Sequence, residues 1–133
     1  MNNRQLQDVN FTQAEELNGI GFDIETESFY YATDKHHEVL VSGELQNWNG
    51  TEDEYNVSAP TIALALQWCH VVKGVFGYVV PEEYEDEYRG RMKIIGKEGS
   101  IPCTSKRETY NDALSDTLDA VIAEIKRREG EPF

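Results

Sequence analysis

The apolar positions of the chain change period along its length, and each change marks an element. The clearest pattern lies in the last third. There Tyr110, Ala113, Leu114, Thr117, Leu118, Val121, Ile122 and Ile125 recur at spacings of three and four, the stripe of a long amphipathic helix. Ser105, with Glu108 three residues on, has the capping-box spacing, so this helix is expected over 105–129. Asp112, Asp116 and Asp119 come early and Lys126, Arg127 and Arg128 late, the order that the helix dipole favours.

Two further helices are read upstream. Ser58-Ala59-Pro60-Thr61 is expected to open one, with proline in the first turn, where its missing N–H costs little. Ile62, Ala65, Leu66, Cys69 and Val72 share a face, and Leu64, Trp68 and Val71 widen it, which predicts burial on more than one side. Lys73-Gly74 closes that helix. A short helix over 13–17 is expected to be capped by Thr12, with Glu15 three on, and stopped by Gly19.

Period-two and β-branched or aromatic stretches predict strands at 22–32, 38–42, 75–81 and 88–95. In the last of these, Tyr88, Met92 and Ile94 alternate with Arg89, Arg91 and Lys93, as in a half-buried hairpin strand. Residues 34–37, 81–86 and 96–104 read as turns or loops, and 43–57 as a long polar loop holding Trp48 and Tyr55. A loop of that length inside a domain is uncommon and points to function or mobility. These elements predict an α+β fold: a two-layer domain with a short antiparallel sheet against a buried middle helix and a long C-terminal amphipathic helix. A single domain over 1–133 is expected, with 1–10 flexible and 130–133 a frayed tail.

Composition supports a folded chain. The 133 residues are 39% hydrophobic and include seven Tyr, five Phe and two Trp, enough to build a core and unlike a disordered segment. No run approaches the roughly 20 apolar residues of a membrane span, and residues 1–10 lack the layout of a signal peptide. The expected compartment is therefore the cytoplasm. Cys69 falls in a buried helix and Cys103 in a loop, so free thiols are expected rather than a bridge.

Charge is unevenly placed. Residues 1–60 hold 12 of the 25 acids against Arg4 and Lys35, a formal −10, while 61–133 hold 13 acids and ten bases. A chain of net charge −13 repels phosphate backbones, which disfavours direct nucleic-acid binding. The same field steers a basic protein toward the first half.

Candidate chemistry is sparse. His36, His37, His70 and Cys69 form the one conceivable metal set, but adjacent histidines diverge on a strand and no ligand spacing accompanies them. Glu52-Asp53-Glu54 and the acids from Glu82 to Glu87 lack a calcium-loop pattern and read as solvated charge. Cys103 lies near Lys106 and Arg107, cations that would lower a thiol pKa, yet no nucleophile motif surrounds it. The basic stripe Arg89, Arg91, Lys93, Lys97, Lys106 and Arg107 could face an acidic partner. Pairing with the acidic half of its own fold, or of a second subunit, is preferred, because the net field opposes nucleic acid. No metal, cofactor or catalytic residue is expected.

Four blocks also carry a resemblance. The segment from Phe11 to Asp23, the pair Tyr30-Tyr31, Ser58-Ala59-Pro60-Thr61 leading to Gln67-Trp68, and Thr109-Tyr110-Asn111-Asp112-Ala113-Leu114 occur in that order. Together, over about residues 11–126, the chain resembles a group of small uncharacterised proteins of Bacteroides phages and prophages. That group usually follows the tryptophan with leucine and a basic–acidic pair, where this chain has Cys69-His70-Val71-Val72, and residues 36–55 have no counterpart in it. The resemblance implies a phage or prophage accessory protein and carries no catalytic residue with it.

The functional expectation is a non-enzymatic protein that works through protein–protein contacts. Trp48, Glu52, Asp53, Glu54 and Tyr55 are the expected contact residues, since aromatic anchors ringed by charge are typical of interfaces. The alternative is an acidic inhibitor or nucleic-acid mimic that occupies a basic site of a host defence or DNA-binding protein. An enzyme using Cys103 or His70 is the third reading. The expected partner is a protein, a basic one in the inhibitor reading; a second copy of the chain is a further candidate, and no membrane is involved.

Overall fold

The computed structural model describes residues 7–32, 38–51, 55–82 and 87–130. The architecture is α+β: among the described residues there are three α-helices and two three-stranded antiparallel sheets. The chain, expected as one domain, groups into two compact units, one of residues 8–61 and the other built from 62 onward together with Gln7.

Residues 8–61 begin with helix α1 (Phe11–Gly19). Its cap is Asn10 rather than Thr12. The Asn10 side chain accepts from the Gln13 N–H at 2.8 Å, and the Gln13 side chain accepts from the Asn10 N–H at 2.9 Å, a complete capping box two residues earlier than expected. This start makes Phe11 helical and sets its ring edge-on to Tyr30, with centroids 5.5 Å apart. The helix ends at Gly19 as expected, but the glycine that turns the chain lies two residues on. Gly21 adopts φ +96°, and the Phe22 N–H returns to the Leu17 carbonyl, a Schellman ending that only glycine enters without strain.

Strands β1 (Thr26–Ala32), β2 (Glu38–Gln46) and β3 (Asn56–Ser58) follow, ordered β2-β1-β3. The expected strand over 22–32 thus starts only at Thr26, because Phe22 is buried at the helix exit. The polar loop expected over 43–57 is overturned. Gly43 to Gln46 extend β2, Trp48–Gly50 form a 3-10 turn, and Asn56 and Val57 pair with β1. Ser58 is likewise in β3, opposite Phe29, and its hydroxyl accepts from the Asn49 N–H, so it is not a helix cap. Of residues 1–10, expected flexible, 7–10 are described: Asp8 bridges to Thr61 and Val9 is fully buried.

The second unit contains α2 (Ile62–Lys73), the strands β4 (Val75–Pro81), β5 (Tyr88–Ile94) and β6 (Ile101–Pro102), and α3 (Tyr110–Glu129). The sheet is ordered β4-β5-β6, with Val75 opposite Ile94, Gly77 opposite Met92 and Val79 opposite Gly90. Helices α2 and α3 pack on this sheet and on each other. Ile62, Ala65, Leu66, Trp68 and Cys69 of α2 are buried, but Val72 lies 57% exposed, off the face expected for it, at the last turn before the chain leaves for β4. The α3 stripe is buried from Ala113 to Ile125 as expected, while Tyr110 at its start is exposed.

Helix α3 starts at Tyr110, capped by Thr109, and not at Ser105. Arg107 exchanges both main-chain hydrogen bonds with Tyr88 at 2.7 and 2.8 Å, which holds that stretch extended. The helix lies very close to the sheet. A Cβ on Gly77 would meet Val121 Cγ2 at 2.6 Å and Thr117 Cγ2 at 2.9 Å, and one on Gly90 would run into the Thr117 hydroxyl. Glycine at both positions is what lets the helix approach.

Candidate functional site

The acidic unit presents a sheet face whose make-up follows from register. Phe29 sits opposite Val41 and Tyr31 opposite Val39, so these four side chains share one face of β1 and β2. Trp48 lies flat on Phe29, centroids 3.8 Å apart and planes 21° from parallel, and its Nε1–H donates to the Thr26 carbonyl at 2.8 Å. Gly43 makes room for it: a Cβ there would lie 3.0 Å from the indole. Tyr55 meets Tyr31 edge-on at 6.0 Å. Phe29 is buried, but Tyr31, Val39, Val41 and Tyr55 are 39, 58, 36 and 43% exposed.

Of the expected contact residues, Tyr55 is therefore on this exposed face, and Trp48 is half-buried and engaged with Phe29 and Thr26. Glu52, Asp53 and Glu54 lie outside the described residues. Tyr31, Val39 and Val41 escaped sequence reasoning. The only signal was the unbroken run Val39-Leu40-Val41, which reads as a buried strand and not as an exposed one.

The unit is strongly acidic. Residues 8–61 contain 12 acids and one base, Lys35, a formal −11. Burial pushes the Tyr30 phenol above its ordinary value, and the charges of Asp8 and Glu38 push it further the same way. Asp8 itself is raised by burial.

The other candidate groups fall in the second unit. Burial pushes the Cys103 thiol up to about 11, against the opposing pull of Arg91, so the lowered pKa expected from Lys106 and Arg107 is overturned. Arg107 pairs with Asp116 at 2.6 Å and Asp112 at 3.7 Å. The Cys69 thiol is pushed up to about 12, again by burial, with Lys73 opposing. Neither thiol has the character of a nucleophile near neutral pH. His70 packs on Phe76 at 4.6 Å, beside a shallow apolar groove of about 300 Å³ that Leu66, Tyr78, Tyr110 and Leu114 help to line.

Among the described residues no three His, Cys, Asp or Glu side chains gather as a metal set; His36 and His37 lie outside them. Among the described residues, members of the basic stripe pair within their own unit: Arg89 meets Glu82 at 3.2 Å, Arg107 meets Asp116, and Arg91 donates to the Ser100 hydroxyl and carbonyl. No helix among the described residues is long and apolar enough to cross a membrane. The chain matches no protein-family model, no curated protein and no solved structure.

Proposed function

We propose that this chain is a non-enzymatic binding protein, a phage or prophage accessory protein that works through protein–protein contacts. The observation that carries the reading is the exposed face of Tyr31, Val39, Val41 and Tyr55 in a unit of formal charge −11. Apolar and aromatic side chains clustered within a charged surround are the usual make-up of an interface centre and rim. The two raised thiols weigh against cysteine chemistry.

The test is capture from a Bacteroides lysate with the tagged chain and with a Tyr31→Ala/Tyr55→Ala variant. Both side chains are partly exposed, so the variant is expected to keep its fold by circular dichroism and lose the captured protein. Equal capture by the two chains would refute this face as the contact surface.

The concentration of charge favours a second reading, an acidic inhibitor or nucleic-acid mimic seated in a basic site. It requires capture of a basic protein that is lost when ionic strength is raised to about twice the physiological value. Reversal of Glu52, Asp53 and Glu54 to Lys would abolish it; unchanged affinity would exclude it.

A further inference from the structure

The sheet of residues 8–61 ends at β2, and among the described residues no strand pairs with the outer edge of β2. Its pairing with β1 is regular from Ala32–Glu38 to Ser28–Ser42 and breaks beyond, where Gly43 to Leu45 face Glu27. The regular edge, residues 38–42, is about 17 Å long at ~3.4 Å per residue, the length of an ordinary strand. Alternate residues along it turn N–H and C=O outward.

Natural edges of this kind are guarded by proline, by lysine or by inward-facing charge. Residues 38–42 have neither proline nor lysine, and Val39, Leu40 and Val41 are exposed in succession. Val39 and Val41 continue the Tyr31–Phe29 face, while Leu40, opposite Tyr30, is 46% exposed on the other. Both sides of an incoming strand would therefore find apolar neighbours.

Charge decides what that strand is. Glu38 and Glu44 stand exposed on β2, and Glu27 is exposed on the adjoining irregular segment of β1. A second copy would set −11 against −11 across the edge, whereas a segment bearing Lys or Arg would meet opposite charge at each end of the docked strand. We propose that β2 is the docking edge for an extended basic segment of a partner protein, added to the sheet as a fourth strand. This rests on the protein-contact function above and gives it a surface and a partner chemistry. Main-chain hydrogen bonds supply affinity, and side chains falling alternately on the Val39–Val41 face and beside Leu40 supply selectivity.

A random short-peptide library selected on the full chain provides the probe. The expected binders carry Lys or Arg among β-branched or aromatic residues and protect the amides of 38–42 from hydrogen exchange. A copy N-methylated at alternate positions, which keeps its side chains but loses main-chain pairing, should bind about tenfold more weakly. A Glu38→Lys/Glu44→Lys chain, shown folded by circular dichroism, should bind the same peptides at least several-fold more weakly.

The proposal is overturned by a selection without binders, by acidic or uncharged binders, by indifference to N-methylation, or by protection confined to β4. A chain that sediments as a dimer and becomes a monomer with Leu40→Lys would also overturn it, since the occupant is then a second copy. If the peptides fail while lysate capture is lost in the Tyr31→Ala/Tyr55→Ala chain, edge docking falls and the protein-contact function stands. If lysate capture is absent as well, both fall.

Discussion

The contact between α3 and its sheet can be tested by placing a single methyl group where there is no room for it. In Gly90→Ala the new Cβ would overlap the Thr117 hydroxyl, lie 2.8 Å from Thr104 Cγ2 and 3.1 Å from Thr117 Cβ. Thr117 is fully buried, and its hydroxyl donates to the Ala113 carbonyl at 2.6 Å, so it cannot rotate away without losing that bond. Overpacking of this kind costs about 1–3 kcal/mol, and three close atoms place this case near the top of the range. Replacing a strand glycine recovers roughly 0.5–1 kcal/mol of backbone entropy. The net expectation is a loss of about 2 kcal/mol. Thr117→Ala alone should cost about 1 kcal/mol, for a buried methyl and a local hydrogen bond. If steric overlap is the cause, the double variant recovers at least ~1 kcal/mol relative to the sum, because the Thr117 hydroxyl, the atom in worst overlap, is gone while Thr104 Cγ2 stays in place.

Urea unfolding measures the cycle, and the placement of the tryptophans makes it readable. Trp48 belongs to residues 8–61 and Trp68 to α2, so a Trp48→Phe background leaves Trp68 to report on its own unit. That separation matters, since two units need not unfold in one transition. Additivity within about 0.5 kcal/mol would refute the steric account.

Three further outcomes are expected. Below pH 9 both thiols are protonated in the folded and unfolded chain alike; above it the unfolded chain releases protons that the folded chain retains up to about 11 at Cys103 and about 12 at Cys69. Stability should therefore fall from pH 9 upward in equilibrium unfolding, less steeply in Cys69→Ala, and a profile flat to pH 11 would contradict it. Asn10→Ala removes one half of the capping box and should lower the stability of residues 8–61 by about 1 kcal/mol by Trp48 fluorescence in urea, while Thr12→Ala should have little effect. Arg107→Ala breaks a pair whose side chains are 41 and 32% exposed and should change stability by less than about 1 kcal/mol in thermal unfolding, with any effect shrinking as salt is added.

Legibility followed the strength of local period. The stripe of α3 and the whole of β4 could be read because burial on one face writes an unambiguous spacing of three and four, or a compact β-branched run. Boundaries were misread where two local solutions compete and a distant partner decides. Thr12 and Asn10 both stand three residues before a capable side chain, and Phe11 packing on Tyr30 goes with the earlier start. Ser105 and Thr109 compete in the same way, and pairing of Arg107 with Tyr88 removes the first. The segment 43–57 looked like a loop because its apolar residues are few and broken by an irregular pairing, so neither period shows. The candidate contact face was half legible: Tyr55 stood out by type, but Tyr31, Val39 and Val41 are brought together only by register.

Residues 8–61 open and close at one place. Asp8 bridges to Thr61, and the Val9 N–H meets the Pro60 carbonyl at 3.0 Å, so the entering and leaving segments run side by side. A unit with its ends so joined has the form of a cassette. It can be cut from a gene and replaced by any other whose ends lie a few ångströms apart, without lengthening the remaining chain. The acidic sheet and its exposed edge could be exchanged in one recombination step, while the glycine-seated helix packing of the other unit is left untouched.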